Sequence, residues 1–231
     1  MMAERISRRQ FLMLGSIGAA SLLIPDLSAC SPINPDPANL NPPTLPAPAS
    51  STAISPISIT PTSCKLSPLV SPTRPADTPG YTQLDPATGL HMTGTPVDID
   101  IATYRLDVTG KVKNELSLSY DDLRCMPKIT TKSISVCAGF FEDRATWAGV
   151  PFSYILELAG VKPDASLINL RGADGYSSGT MIEAVLLPDA YLAYEWEGQP
   201  IPVLHGFPLR AIFDSQVGGY RVKWLLGIEV S

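Results

Sequence analysis

Thirteen prolines fall between Ser31 and Pro79, and with Pro25 they place 14 of the chain's 23 prolines before residue 80. Proline has no amide proton and a fixed φ, so a stretch this dense builds neither a helix interior nor a central strand. The other residues there are mostly Ser, Thr and Ala, with only Asp36, Lys65, Arg74 and Asp77 charged. Too few large apolar side chains are present to offset the entropy of ordering such a stretch. Residues 30–79 therefore read as an extended tether, rising about 3 Å per residue where it adopts polyproline geometry. Folding falls to residues 80–231, enough for one domain.

Ahead of the tether, Ser7-Arg8-Arg9-Gln10-Phe11-Leu12 leads into an apolar run from Met13 to Ile24 that Gly15 and Gly18 interrupt. That run is shorter than the roughly 20 residues a bilayer-spanning helix needs. It suits a signal-peptide core, and the paired arginines point to the twin-arginine route, which carries proteins already folded. Leu27-Ser28-Ala29-Cys30 resembles a bacterial lipobox. Residues 1–29 are accordingly expected to be a signal peptide and Cys30 the lipidated first residue of the mature chain. Several acyl chains on one terminus anchor stably, so the expected location is the extracytoplasmic face of the membrane, or periplasm, on the lipid surface without spanning it.

The formal charge of -5 and pI near 5.0 provide no field for a polyanion, and no nucleic-acid partner is expected. With Cys30 lipidated, Cys64, Cys125 and Cys137 remain. An odd number at irregular spacing with no C-x-x-C pair argues against a disulfide framework. Cys64 is expected to have no role, a second lipid or a disulfide being left open, and one of the three is available as a ligand.

From residue 80 the pattern is one of strands and short helices. Tyr104–Val108 alternates in polarity and ends at Gly110, Leu116–Leu118 repeats the alternation, and Tyr120–Leu123 turns helical. Ile134–Cys137 reads as a buried strand, Phe152–Ala159 as a helix stopped by Gly160, and Ser166–Leu170 as a strand. Further strands are expected at Leu192–Glu197, Leu209–Phe213 and Val222–Val230. Without strict βαβ alternation, this is an α+β domain of mixed sheets and short helices.

The segments HMTGTPVDIDIATYRLDVTG, LSYDDLRCMP, SISVCAG, WAGVPFSYILELAGV, HGFPLRAIF and YRVKWLLGIEV resemble, in that order and spacing, the molybdopterin domain of the sulfite oxidase family over about residues 88–230. The resemblance implies the sulfite oxidase-type fold and a Mo-molybdopterin cofactor. It makes Cys137 the thiolate ligand to molybdenum and the catalytic residue, thiolate being the soft donor such metals select. It assigns His91, Asp174, His205, Arg210, Arg221, Val222 and Lys223 to cofactor binding, where a guanidinium fork and an ammonium suit the pterin's phosphate. A cofactor inserted in the cytoplasm also requires export of the folded protein, which agrees with the paired arginines.

Where sulfite oxidases carry an arginine ahead of the loop histidine, and an asparagine and two arginines after Cys-Ala-Gly, this chain has Gly89, Phe140, Phe141 and Glu142. No counterpart of the family's catalytic tyrosine, dimerisation domain or haem domain is found within the 231 residues. An anionic oxyanion wants positive charge at the metal, so sulfite is a doubtful substrate, with Arg144 and Arg171 as alternative sources of charge. The expected activity is two-electron oxygen-atom transfer on a small substrate, S-oxide or N-oxide reduction competing with sulfite-type oxidation. The expected electron-transfer partner is a haem protein or cytochrome of the envelope. The alternative is a cofactor-free envelope module that keeps the fold.

Overall fold

The computed structural model describes residues 64–137, 139–214 and 221–231. The expected signal peptide, the expected lipidation site Cys30 and the expected tether up to residue 63 lie outside the described residues.

Local sequence accounts for most elements. Strand β1 (Leu84–Asp85) pairs with β2 (Leu90–His91) across a turn. In β3 (Leu106–Gly110), Leu106 and Val108 are fully buried while Asp107 and Thr109 face outward, the period-2 pattern of a half-buried strand. It forms the expected hairpin with β4 (Leu116–Leu118). Helix α1 (Tyr120–Arg124) starts on a capping box in which Ser119 and Asp122 satisfy each other's amides. In α2 (Phe152–Ala159), Phe152, Ile155, Leu156 and Ala159 form one buried face at helical spacing, and Gly160 ends it with φ +64°.

Two five-stranded sheets follow from these pieces. One joins β10 (Gln199–Pro200), β9 (Ala190–Trp196), β6 (Phe141–Pro151) and β5 (Ile129–Cys137) in that order, with β11 (Arg210–Phe213) also on β9. The other runs β4, β3, β12 (Leu225–Val230), β7 (Leu167–Gly172), β8 (Ser177–Met181). The last strand thus lies between β3, parallel, and β7, antiparallel. A short helix α3 (Ile182–Val185) links β8 to β9. One core packs both sheets against α2. A second, small cluster of Met92, Leu204 and Trp224 gathers the loops after β2, before β11 and before β12, and these loops carry the site.

Three expectations change. The segment 129–137 is a half-buried strand, longer than the expected Ile134–Cys137: Ile134 is 40% and Val136 46% exposed, because alternate residues face away from the sheet's covered side. Strands β6 and β8 were not expected at all. Cys64 and Cys125 form a disulfide, Cα to Cα 5.7 Å, where an odd thiol count argued against a framework. Closing a loop between residues 61 apart stabilises a fold by about 4 kcal/mol through the unfolded chain. The disulfide also docks residues 64–79 of the expected tether, which have no regular element but lie against the domain. Arg124 donates to the Ser67 carbonyl (2.8 Å), Leu69 packs on the core, and Arg74 donates to Asp98 (3.2 Å) and to the Pro96 carbonyl (2.5 Å).

Candidate molybdopterin site

Strand β5 ends in Cys137, which is 6% exposed. The Phe140 amide donates to the Cys137 carbonyl (2.9 Å), and Gly139 has φ +81°, a left-handed conformation that glycine adopts without strain. Phe141 then lies directly opposite Cys137 in the β5–β6 register.

A second part of the site is built by Val203-Leu204-His205, a single 3-10 turn, and Gly206, whose φ of +113° turns the chain back into β11. A Cβ on Gly206 would stand 3.2 Å from the Lys223 Cβ and 3.4 Å from the Arg210 Cβ. Glycine here therefore allows His205, Arg210 and Lys223 to converge. Trp224 fixes the far side: its indole donates to the Val203 carbonyl (2.8 Å) while its own backbone is held at φ +48°, a strained conformation that its buried ring maintains.

His205 is fully buried. Its Nε2 lies 2.9 Å from Asp85 Oδ2 and 2.9 Å from Thr88 Oγ1, and Thr88 itself donates to Asp85. Burial pushes the imidazole pKa down to about 4, with the charges of Lys223 and Arg210 acting the same way against the Asp85 hydrogen bond. Burial alone would raise the Asp85 carboxyl, but hydrogen bonds from His205, Thr88 and the Ala87 amide outweigh it and hold the group below its usual value. Neutral His205 thus carries its proton on Nε2, toward the Asp85 carboxylate. Its Nδ1 is then a bare acceptor, buried without a partner among the described residues.

Arg210 and Lys223 are buried cations without a carboxylate partner within ion-pair distance among the described residues. Arg210 lies over the Trp147 ring at 4.8 Å and donates weakly to the His205 carbonyl (3.4 Å), and its Nε has no partner among the described residues. Lys223 donates to the Thr93 (2.8 Å) and Leu204 (3.4 Å) carbonyls. Burial, then the neighbouring Arg210 charge, draws the Lys223 pKa well down. Burial, then Arg221, does the same to Arg210. Two desolvated positive charges that repel each other are costly when nothing offsets them and suit an anion. The orphaned acceptor on His205 and orphaned donor on Arg210 also suit a polar heterocycle. These residues fit a phosphate-bearing pterin by their own chemistry.

The other sequence-predicted residues divide. Asp174 sits at the edge of the cluster: its Oδ1 accepts from the Tyr176 amide (3.1 Å), and a Cβ on Gly94 would lie 3.0 Å from its Oδ2. Val222 is fully buried in the main core. Arg221 is occupied by protein: it donates to Ser133 Oγ, to the Ile134 and Phe213 carbonyls, and to Asp214 at 3.0 Å, while Ser133 also contacts Asp214. It ties β5 to β11 and so positions Cys137. His91 is held by Asp143, whose Oδ1 is 2.6 Å from Nδ1 and whose Oδ2 accepts the His91 amide at 2.8 Å. The imidazole stacks on Phe141, centroids 4.5 Å apart and planes 6° from parallel.

The residues at the family's arginine positions are placed differently from one another. Glu142 and Arg144 face outward and pair with each other at 2.5 Å, 46% and 68% exposed. Arg171 is on the other sheet, its guanidinium over Gly227. Neither arginine supplies charge to the site. The acid that does enter is Asp143, which acts electrostatically on both Arg210 and Lys223. Sequence reading missed Asp143, Asp85 and Thr88. The only signal available was that each of two histidines needs an orienting partner, and those partners lie 52 and 120 residues away. A cavity of about 370 Å³ lies elsewhere, on the solvated face of the second sheet between Asp107, Asn169, Arg171 and Glu229.

Residues 91–231 match the oxidoreductase molybdopterin binding domain family. The uncharacterized oxidoreductase YuiH of Bacillus subtilis (strain 168) is 32% identical over 141 residues, 61% of this chain and 71% of that protein. A candidate protein-methionine-sulfoxide reductase subunit, YedZ1, of Azospira oryzae is 27% identical across 58% of this chain and 51% of that protein. Rat mitochondrial sulfite oxidase is 31% identical across 58% of this chain, which spans 30% of the enzyme. Among solved structures, the sulfane dehydrogenase SoxCD of Paracoccus pantotrophus superposes with a TM-score of 0.55 at 26% identity, over 58% of this chain and 40% of that one. The expected α+β fold agrees with that neighbour, and the chain belongs to the oxidoreductase molybdopterin binding domain family, the molybdopterin fold of the sulfite oxidases.

Proposed function

We propose that this protein is an exported, lipid-anchored molybdenum oxidoreductase that reduces small S-oxides or N-oxides, with sulfite a poor substrate. The observation that carries the reading is the buried pair Arg210 and Lys223, cations that lack a carboxylate partner at ion-pair distance among the described residues. His205, Arg210, Lys223 and Asp174 hold the pterin, and Cys137, as thiolate, holds the metal. When bound, the cofactor supplies two-electron redox chemistry, while the protein binds, orients and excludes water.

Substrate preference follows from the other face of the site. Phe141 lies directly opposite the metal ligand, and Asp143, two residues further along the same strand and paired with Ser135, holds His91 against Phe141. A dianion such as sulfite would meet an aromatic ring and a carboxylate there, with the nearest cations committed to the cofactor. A neutral S-oxide avoids that repulsion. The relative from Azospira oryzae, whose name includes protein-methionine-sulfoxide reductase, favours the same class.

Export is supported by the Cys64–Cys125 disulfide, since such bonds persist in oxidising compartments. In this reading residues 1–29 are the signal, Cys30 carries the lipid, and a haem protein or cytochrome in the envelope delivers the electrons. The decisive assay compares sulfite oxidation with reduction of methionine sulfoxide, dimethyl sulfoxide and trimethylamine N-oxide by the loaded protein with artificial electron carriers. Reduction of an S-oxide or N-oxide is expected to exceed sulfite oxidation by orders of magnitude, and the reverse ranking overturns the substrate reading. Mass spectrometry of the mature protein is expected to find an acylated N-terminal cysteine at position 30, and an unmodified terminus refutes the anchor.

A further inference from the structure

We infer that the His91–Asp143 pair supplies the protons for oxygen removal, His91 delivering them and Asp143 acting as its positioning residue; this rests on the S-oxide reading above. The reaction is R₂S=O + 2e⁻ + 2H⁺ → R₂S + H₂O. The S–O bond breaks, sulfur gains the two electrons that the envelope carrier provides, and the departing oxygen must receive two protons. Few groups in the site can give them. Cys137 is the metal ligand. His205 is sealed from water and its one proton faces Asp85. Arg210 and Lys223 face backbone carbonyls and serve the cofactor's charge.

His91 differs on each count. Its side chain is 25% exposed, so water can reprotonate it. Its ring stacks on Phe141, the residue directly opposite Cys137, which puts the imidazole beside the reacting centre. Asp143 accepts both the His91 amide and Nδ1–H, which leaves Nε2 as the nitrogen that takes a proton from solvent and releases it to the leaving oxygen. Charged groups facing the pair are Lys223 and Arg210, both acting on Asp143; from β1, Asp85 is turned to His205, and Glu142 and Arg144 face the opposite side of β6. The acidic partner of His91 occupies the stretch where this chain departs from the sulfite oxidases.

Two histidines in the whole chain make the test clean. Ring ¹⁵N NMR of the cofactor-free protein is expected to show neutral His91 as the Nδ1–H tautomer and His205 as the Nε2–H tautomer. Asp143→Asn offers one acceptor oxygen to two donors, and is expected to move His91 to Nε2–H or a mixture while His205 stays unchanged. In the loaded enzyme, His91→Gln and Asp143→Asn are expected to lower kcat for S-oxide reduction about 10²- to 10³-fold. KM and molybdenum content stay near wild type, and Asp143→Glu restores part of the rate. An Nε2–H tautomer at His91 in the wild type, or unchanged kcat in both variants, overturns the inference. A wild-type protein that reduces no S-oxide or N-oxide also removes it, and that failure is distinguished by the tautomer spectrum, which needs no substrate.

Discussion

The same pair of side chains is built twice in this site, and the two copies differ in their access to water. His205 and Asp85 lie at 0% and 7% side-chain exposure with Nε2 to Oδ2 at 2.9 Å, while His91 and Asp143 lie at 25% and 10% with Nδ1 to Oδ1 at 2.6 Å. The carboxylate grips opposite nitrogens of the two rings. In the buried pair a ring that is neutral above about pH 4 presents Nδ1 as an acceptor, which suits a static contact to a bound heterocycle. In the half-exposed pair the free nitrogen is Nε2 and solvent reaches it, which suits a group that gains and loses a proton. Burial and tautomer, more than residue type, separate a binding histidine from a proton-moving one.

The sharpest way to break this distinction is to remove the two carboxylates in turn. Asp85→Asn is expected to weaken cofactor retention about 10- to 100-fold, as loss of an orienting partner does at metal sites. Asp143→Asn is expected to leave molybdenum and pterin content near wild type and to fail in turnover instead. Molybdenum and pterin analysis beside kcat for both variants checks the split. Equal cofactor loss in the two would merge the pairs into one role.

The pH dependence of stability gives a second, smaller separation. Folded His205 binds its proton only below about 4, whereas an unfolded histidine binds near 6.5. Between those values the unfolded chain holds more protons, so stability rises with pH; it is complete above 6.5 and lost as pH falls toward 4. The size is about 3 kcal/mol for the cofactor-free protein. Urea titrations at pH 4.5 and 7 are expected to show this difference in the wild type and most of it gone in His205→Gln. An unchanged slope in that variant would mean that the buried ring is not held neutral.

Lys223 supplies the smallest effect and its sign is diagnostic. Removing a buried cation that lacks an ionic partner among the described residues is expected to stabilise the cofactor-free protein by about 1 to 2 kcal/mol, while the same Lys223→Met change lowers cofactor retention. Destabilisation of the cofactor-free protein by Lys223→Met would show that the Thr93 and Leu204 carbonyls already offset the ammonium's desolvation.

What could be read from the sequence was either local or carried by family resemblance. Helix α2 and its stop at Gly160 follow from apolar spacing and one glycine, and the hairpin of β3 and β4 from alternation. Strand β6 was missed because Glu142, Asp143 and Arg144 follow Phe141, and Gly149 and Pro151 punctuate its end. Only pairing with β5 and β9 makes that run a strand. Strand β8, Ser177–Met181, is small and polar and holds its conformation through β7. His205, Arg210 and Lys223 were named from motif order and converge around Gly206. Asp85 and Asp143 were beyond reach, since an acid becomes a histidine's partner only when the fold brings together residues far apart in the chain. Counting thiols failed at Cys64 and Cys125 for the same reason.

The central claim is the proposal that Arg210, Lys223 and His205 bind a molybdenum pterin ligated at Cys137. Its most direct test is metal and pterin analysis of the protein purified from cells in which another molybdopterin enzyme is demonstrably loaded. The account predicts about one molybdenum and one pterin per chain, with metal lost in Cys137→Ser and pterin lost in the Arg210→Gln, Lys223→Met double variant. A folded wild-type protein carrying neither molybdenum nor pterin from such cells would contradict it.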